Sequence, residues 1–202
     1  MKKIALIGIV IFTGFAVCYL LLLSGQKEKR IQEGISQKVL RFHILANSDS
    51  EKDQELKLEV RDAIGGLMEE MLAPAKNKEE SKSIIENHME EILDEARNVI
   101  DQRGYDYEVK GEVLTTGFPE KKYGKFCFPE GEYEAFRITI GNGEGANWWC
   151  VLYPEMCFTN SIYEVNPQTE EILKRILTTE EYQEVIKDGN YKVEWKFLEY
   201  LR

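Results

Sequence analysis

Val39-Leu40-Arg41-Phe42-His43-Ile44-Leu45-Ala46, followed at once by Asn47-Ser48-Asp49-Ser50-Glu51-Lys52-Asp53, decides the fold class. The first eight residues are rich in β-branched and aromatic side chains and read as a strand. Successive strand side chains point to opposite faces. Leu40, Phe42, Ile44 and Ala46 therefore share an apolar face, and Val39, Arg41, His43 and Leu45 share the more polar one. Ser50 followed by Asp53 resembles a capping box, and Asp49 to Glu51 place acid where a helix N-terminus favours it. A helix is expected from there to about Leu72, because Leu56, Val60, Ala63, Ile64, Leu67, Met68 and Met71 recur at helical spacing. Gly65-Gly66 weakens its middle and Pro74 ends it.

Reading outward, Ser81 to Gln102 predicts a second helix with the stripe Ile84, Ile85, His88, Ile92, Ala96, Val99 and Ile100, stopped by Gly104. Strands are expected at about Tyr107 to Thr116 and Glu132 to Ile140, separated by the turn-rich stretch Gly117 to Gly131. A glycine-rich loop, Gly141-Asn142-Gly143-Glu144-Gly145, leads into Ala146-Asn147-Trp148-Trp149-Cys150. Helical segments near Gln168 to Leu177 and Thr179 to Lys187 precede a last strand, Tyr191 to Tyr200. This order gives an α+β fold, a mixed sheet of about four strands with helices packed on it.

The other end of the chain differs in kind. Ile4 to Leu23 carries no charge and lies between Lys2-Lys3 and Lys27-Glu28-Lys29-Arg30. Twenty helical residues at 1.5 Å each span about 30 Å, the hydrocarbon thickness of a bilayer. The run is longer than a cleavable signal needs, which favours an uncleaved signal anchor. Leu23 and Gly25 at the positions flanking a cleavage site keep a cleaved signal as the alternative. Residues 1–25 are thus a signal peptide or anchor, 26–38 a linker, and 39–202 one exported domain.

Charge and composition narrow the function. The chain has 202 residues, 36 acidic and 26 basic, with two His and four Cys. Setting aside Lys2 and Lys3 leaves the exported part with 24 basic residues against 36 acidic, net −12. Nucleic acid demands clustered Lys and Arg, and anionic lipid heads repel such a domain. A His-based zinc site needs more than two distant His. No metal, cofactor or small-molecule substrate is expected.

Candidate chemistry is sparse. Cys150 and Cys157, with six residues between them in an exported domain, invite a disulfide and leave Cys127 as a free, half-buried thiol that behaves as a small hydrophobe. Gly141-x-Gly143-x-x-Ala146 matches dinucleotide-binding spacing, but Glu144 would repel a phosphate and a glycine-rich turn explains it better. Asp49, Glu51, Asp53 and Glu144, aided by His43, could supply paired carboxylates for a peptidoglycan hydrolase. Helix capping accounts for the first three. Trp148-Trp149 beside the glycine turn should point one ring inward and one outward, and an exposed Trp is a common binding anchor.

The residues Arg41-Phe42-His43-Ile44-Leu45-Ala46-Asn47-Ser48-Asp49-Ser50, Asp53-Gln54-x-Leu56-Lys57 and Val60-Arg61-Asp62-Ala63 resemble the opening of the stage II sporulation protein R family. So do Gly131-Glu132-Tyr133-Glu134-Ala135 with Arg137, and the run from Gly141 through Asn147-Trp148-Trp149-Cys150 to Pro154, with Cys157-Phe158. The resemblance covers about Leu40 to Phe158 and implies a signal rather than an enzyme. Such proteins are exported from the forespore into the space between the two septal membranes. There they activate a membrane-embedded aspartic-type protease of the mother cell, of the stage II sporulation protein GA family, which then processes pro-sigma-E. From the chemistry of the residues, and not from the resemblance, the partner contact is expected at Asn47, Ser48, Asp49, Glu144, Asn147, Trp148 and Trp149. The rival readings are the peptidoglycan hydrolase and a sensor domain on a membrane stalk.

Overall fold

The computed structural model describes residues 2–157 and 167–186, with side chains from residue 12 onward. A long helix, α1 (Lys2–Ser36), is followed by β1 (Leu40–Leu45) and three helices, α2 (Glu51–Leu72), α3 (Lys78–Asn87) and α4 (Met89–Gln102). Then come β2 (Val109–Phe118), a hairpin of β3 (Lys121–Tyr123) and β4 (Phe126–Phe128), β5 (Gly131–Ile140), β6 (Asn147–Tyr153), α5 (Pro167–Ile176) and α6 (Thr179–Ile186). The main sheet has the order β2-β5-β1-β6. Its strand β1 runs parallel to β5 and antiparallel to β6, and β2 is antiparallel to β5. A parallel pair needs a long crossover, and α2 to α4 lie between β1 and β5 in the chain. The fold is α+β with a mixed four-stranded sheet.

Both faces of β1 are buried, which corrects the expected polar face. On the helix side Phe42 stacks on Phe136 of β5 at 5.4 Å. Gly111 of β2 lets Met89 and Leu93 of α4 approach, since a side chain there would strike the Met89 sulfur. On the other side Arg41 is fully buried among the rings of Phe118, Tyr133 and Phe128, at 4.4, 4.8 and 5.5 Å. Its Nε donates to the Cys150 carbonyl at 3.0 Å. Burial lowers the guanidinium pKa. The β3–β4 hairpin closes this face through Tyr123 and Phe128, and α6 packs on β4 and α1.

Four further differences have local causes. The helix expected over 81–102 breaks at His88, which has φ −109° and ψ 16° and ends α3 while starting α4. His88 is exposed, its Nδ1 3.0 Å from Glu91 Oε2, and lies off the apolar stripe. The fourth sheet strand is β6, within the stretch read as a loop, and the turn-rich stretch contains the β3–β4 hairpin. The expected strand Tyr191 to Tyr200 lies outside the described residues. Residues 26–36, read as linker, continue α1, whose Ile31 and Ile35 enter the main core.

Among the described residues no helix is long and apolar enough to cross a membrane. Part of the expected segment 4–23 falls where side chains are not described. From residue 12 onward, Phe12, Phe15, Tyr19 and Leu20 to Leu23 are exposed.

Candidate functional site

Because β1 and β5 are parallel, both end at the same edge of the sheet. The loop after β1 (residues 46–50) and the loop after β5 (141–146) leave that edge side by side, and β6 begins there with Asn147 opposite Leu45. This topology brings together Asn47, Ser48, Asp49, Glu144 and Asn147, far apart in sequence. The edge lies opposite the end where α1 joins β1.

The two loops are fastened to each other. The N–H groups of Gly145 and Glu144 donate to Ala46 O and Asn47 O at 3.0 and 3.3 Å. Asn47 Oδ1 accepts from the Asn142 N–H at 3.0 Å, and the Asp49 carboxylate accepts from the Ala146 N–H at 2.7 Å. Lys57 of α2 donates to Ala146 O at 2.8 Å, and Gln54 donates to Ser48 O at 2.9 Å. Gly141 and Gly143 have φ of +57° and +67°, a region that favours glycine. Gly145 is buried against Ser48, and a Cβ there would overlap the Ser48 carbonyl.

Asp53 anchors this arrangement from below. Ser50 caps α2 by accepting the Asp53 N–H at 3.2 Å, the first half of the expected capping box. The second half is absent, because the Asp53 carboxylate turns away from Ser50. It accepts Ser48 Oγ at 2.5 Å, Asn47 Nδ2 at 3.0 Å and Tyr107 Oη at 3.2 Å. These bonds, that of Ser48 foremost, hold its pKa below the usual carboxylate range.

The two Trp rings lie on opposite faces of the sheet, as strand geometry requires, but neither is fully exposed. Trp149 stacks on the His43 imidazole at 4.9 Å and meets Phe118 edge-on at 4.7 Å. Trp148 meets Phe42 edge-on at 5.7 Å and carries the Arg61 guanidinium 5.3 Å over its ring. The outward surface of the site is formed by Asp49, Glu144, Ala146 and the open side of Trp148, while Asn47, Ser48 and Asn147 hold the loops.

The chemistry of this cluster suits recognition better than hydrolysis. A general acid of a glycosidase needs a raised carboxyl pKa. Asp53 is shifted in the opposite direction. His43 is buried with Nδ1 3.0 Å from Asn147 Oδ1, and desolvation lowers its pKa to about 4. It is therefore neutral at ordinary pH. A cavity of about 630 Å³ lies away from this site, between α1 and α6, lined by Arg30, Glu33, Gly34, Gln37 and Glu181. Among the described residues no group of His, Cys, Asp or Glu is placed to hold a metal ion.

Cys150 and Cys157 are joined by a disulfide, their Cα atoms 5.6 Å apart. Cys127 is free and half-buried on β4, and desolvation raises its thiol pKa. Sequence reasoning missed Gln54, Lys57, Arg61 and Tyr107 as parts of the site. The sequence signal for Lys57 was its place, with Asp53, on the apolar stripe of α2 beside Leu56 and Val60, and both residues are buried.

A family model described as stage II sporulation protein R (spore_II_R) matches residues 36–163. Stage II sporulation protein R of Bacillus subtilis (strain 168) is 35% identical over 205 residues, covering 96% of this chain and 87% of that protein. No solved structure matches the chain. The family match spans β1, both loops and the two bridged cysteines, and on these two matches the chain belongs to the stage II sporulation protein R family.

Proposed function

We propose that this chain is an exported sporulation signal that activates the membrane-embedded aspartic-type protease of the mother cell, so that the protease processes pro-sigma-E. Family membership is the observation that carries the reading. In this account residues 4–23 direct export from the forespore, as a signal peptide or a signal anchor, and the folded domain faces the intermembrane space. The site architecture suits the task. Two loops tied by cross-loop hydrogen bonds form a preformed surface, which lowers the ordering cost of binding. That surface sits at the end of the sheet opposite the junction of α1 with β1.

Activation requires the chain to bind the active state of the protease more tightly than the inactive one. A differential affinity of about 4 kcal/mol would shift a 1:99 equilibrium to roughly 9:1. The test is co-expression of the chain, the protease and pro-sigma-E in a non-sporulating host. Processing that appears only with the chain supports the reading, and processing unaffected by its presence refutes it.

A further inference from the structure

Leu58 is 39% exposed, and outside α1 it is the one large hydrophobic side chain exposed among the described residues. It lies on α2 one turn before Arg61, and residues three apart on a helix are neighbours. The Arg61 guanidinium lies 5.3 Å over the Trp148 ring and is held by Asp62, with Nε to Oδ1 at 2.7 Å. Trp148 is in turn fixed edge-on by Phe42. Leu58 thus neighbours on α2 an Arg61 guanidinium already oriented over Trp148, the first aromatic residue after the 141–147 loop.

The rim of this site is acidic. Glu55, Asp62, Asp49 and Glu144 are exposed around it. Asp62 is paired with Arg61, which leaves Glu55, Asp49 and Glu144 against Lys52, while Lys57 is buried and committed to Ala146 O. A second copy of this chain would bring the same acidic rim against itself, and like charges facing across an interface are disfavoured.

We propose that Leu58, Arg61 and Trp148 form the anchor of the docking surface, and that it receives a partner segment bearing an apolar side chain flanked by basic residues. The inference rests on the proposed function and assigns that segment to an extracytoplasmic part of the activated protease. Trp and Arg are the residue types that most often dominate binding energy, and well-packed anchors inside a polar rim are where that energy concentrates.

The test uses the full chain co-expressed with the protease and pro-sigma-E. Thermal unfolding and tryptophan fluorescence establish that each variant folds. Leu58→Asp is expected to lower processing at least tenfold, Leu58→Met to retain it, and Glu55→Lys to lower it severalfold without loss of folding. If the unmodified chain and Leu58→Asp drive processing equally, this inference is overturned and the proposed function stands. If the unmodified chain drives none, both fall. If Leu58→Asp instead dissociates a dimer of the chain in sedimentation while processing is unchanged, the occupant is a second copy and the partner assignment is wrong.

Discussion

Removal of the Asp53 carboxylate, as Asp53→Ala, tests whether the two loops are held as one surface. The carboxylate accepts three side-chain hydrogen bonds, from Ser48, Asn47 and Tyr107. Hydrogen bonds to a charged group contribute about 1.5–3 kcal/mol each when buried. Ser48, Asn47 and Tyr107 are only half-buried, so water replaces much of what they lose. The expected cost is about 2–4 kcal/mol, with the Ser50 cap left in place. Tryptophan fluorescence in a urea titration reads the global loss, since Trp148 and Trp149 flank the loops. Native-state hydrogen exchange reads the local one. The Asn142 amide bonds Asn47 Oδ1, and Asn47 is positioned by Asp53, so its exchange should quicken by about 10- to 100-fold. The pH dependence has a definite sign. A carboxylate with a depressed folded pKa stabilises above its unfolded value, about 4, and that stabilisation is lost as pH falls further. The unmodified chain should therefore lose stability below about pH 4 more steeply than the variant. A change below about 0.5 kcal/mol, with Asn142 exchange unaltered, would refute the reasoning.

Gly145→Ala should cost about 2–4 kcal/mol, because the new Cβ meets backbone at Ser48 rather than a movable side chain, and urea unfolding would show it. Arg41 is a buried cation with no carboxylate partner among the described residues. Arg41→Met should thus change stability by less than about 1.5 kcal/mol, while Arg41→Ala, which leaves a cavity among the rings, should cost about 3–5 kcal/mol. His43, with a folded pKa of about 4, should show no imidazole titration by NMR above pH 5. Because its folded value lies below the unfolded one, about 6.5, its contribution to stability is complete above that pH and declines as pH falls toward 4. Reduction of the Cys150–Cys157 bridge, whose residues are 7 apart, should cost about 2.5 kcal/mol in paired denaturation curves with and without reductant.

Much of the fold was legible where one signal dominated. The strand at Leu40–Leu45 and the helix from Glu51 follow from alternation and a capping Ser50, and both lie within a residue or two of expectation. Strand β6 was hidden because Cys150 to Tyr153 is buried throughout and shows no alternation, and because the glycines before it read as loop. The break at His88 carries no Gly or Pro to announce it. The burial of Arg41 was illegible because its stabilisation comes from rings in distant strands and the β3–β4 hairpin, which only the assembled sheet brings near. Turn and aromatic chemistry singled out Asn47, Ser48, Asp49, Glu144, Asn147, Trp148 and Trp149 in the sequence, and the fold brings them to one end of the sheet. The supports Lys57 and Tyr107 were not singled out, and Asp53 was read only as a helix cap and a spare carboxylate, since a polar side chain reads as solvated until its distant partner is known.

The central claim is that the edge built from the 46–50 and 141–147 loops touches the protease. Site-specific photocrosslinking of the full chain, co-expressed with the protease, tests it most directly. One arm places the photoreactive residue at position 144, and the other at position 180, beside Lys27 and Arg30 at the opposite end of the domain. The account predicts an adduct with the protease from position 144 and none from position 180. An adduct from position 180 with none from position 144 would contradict it.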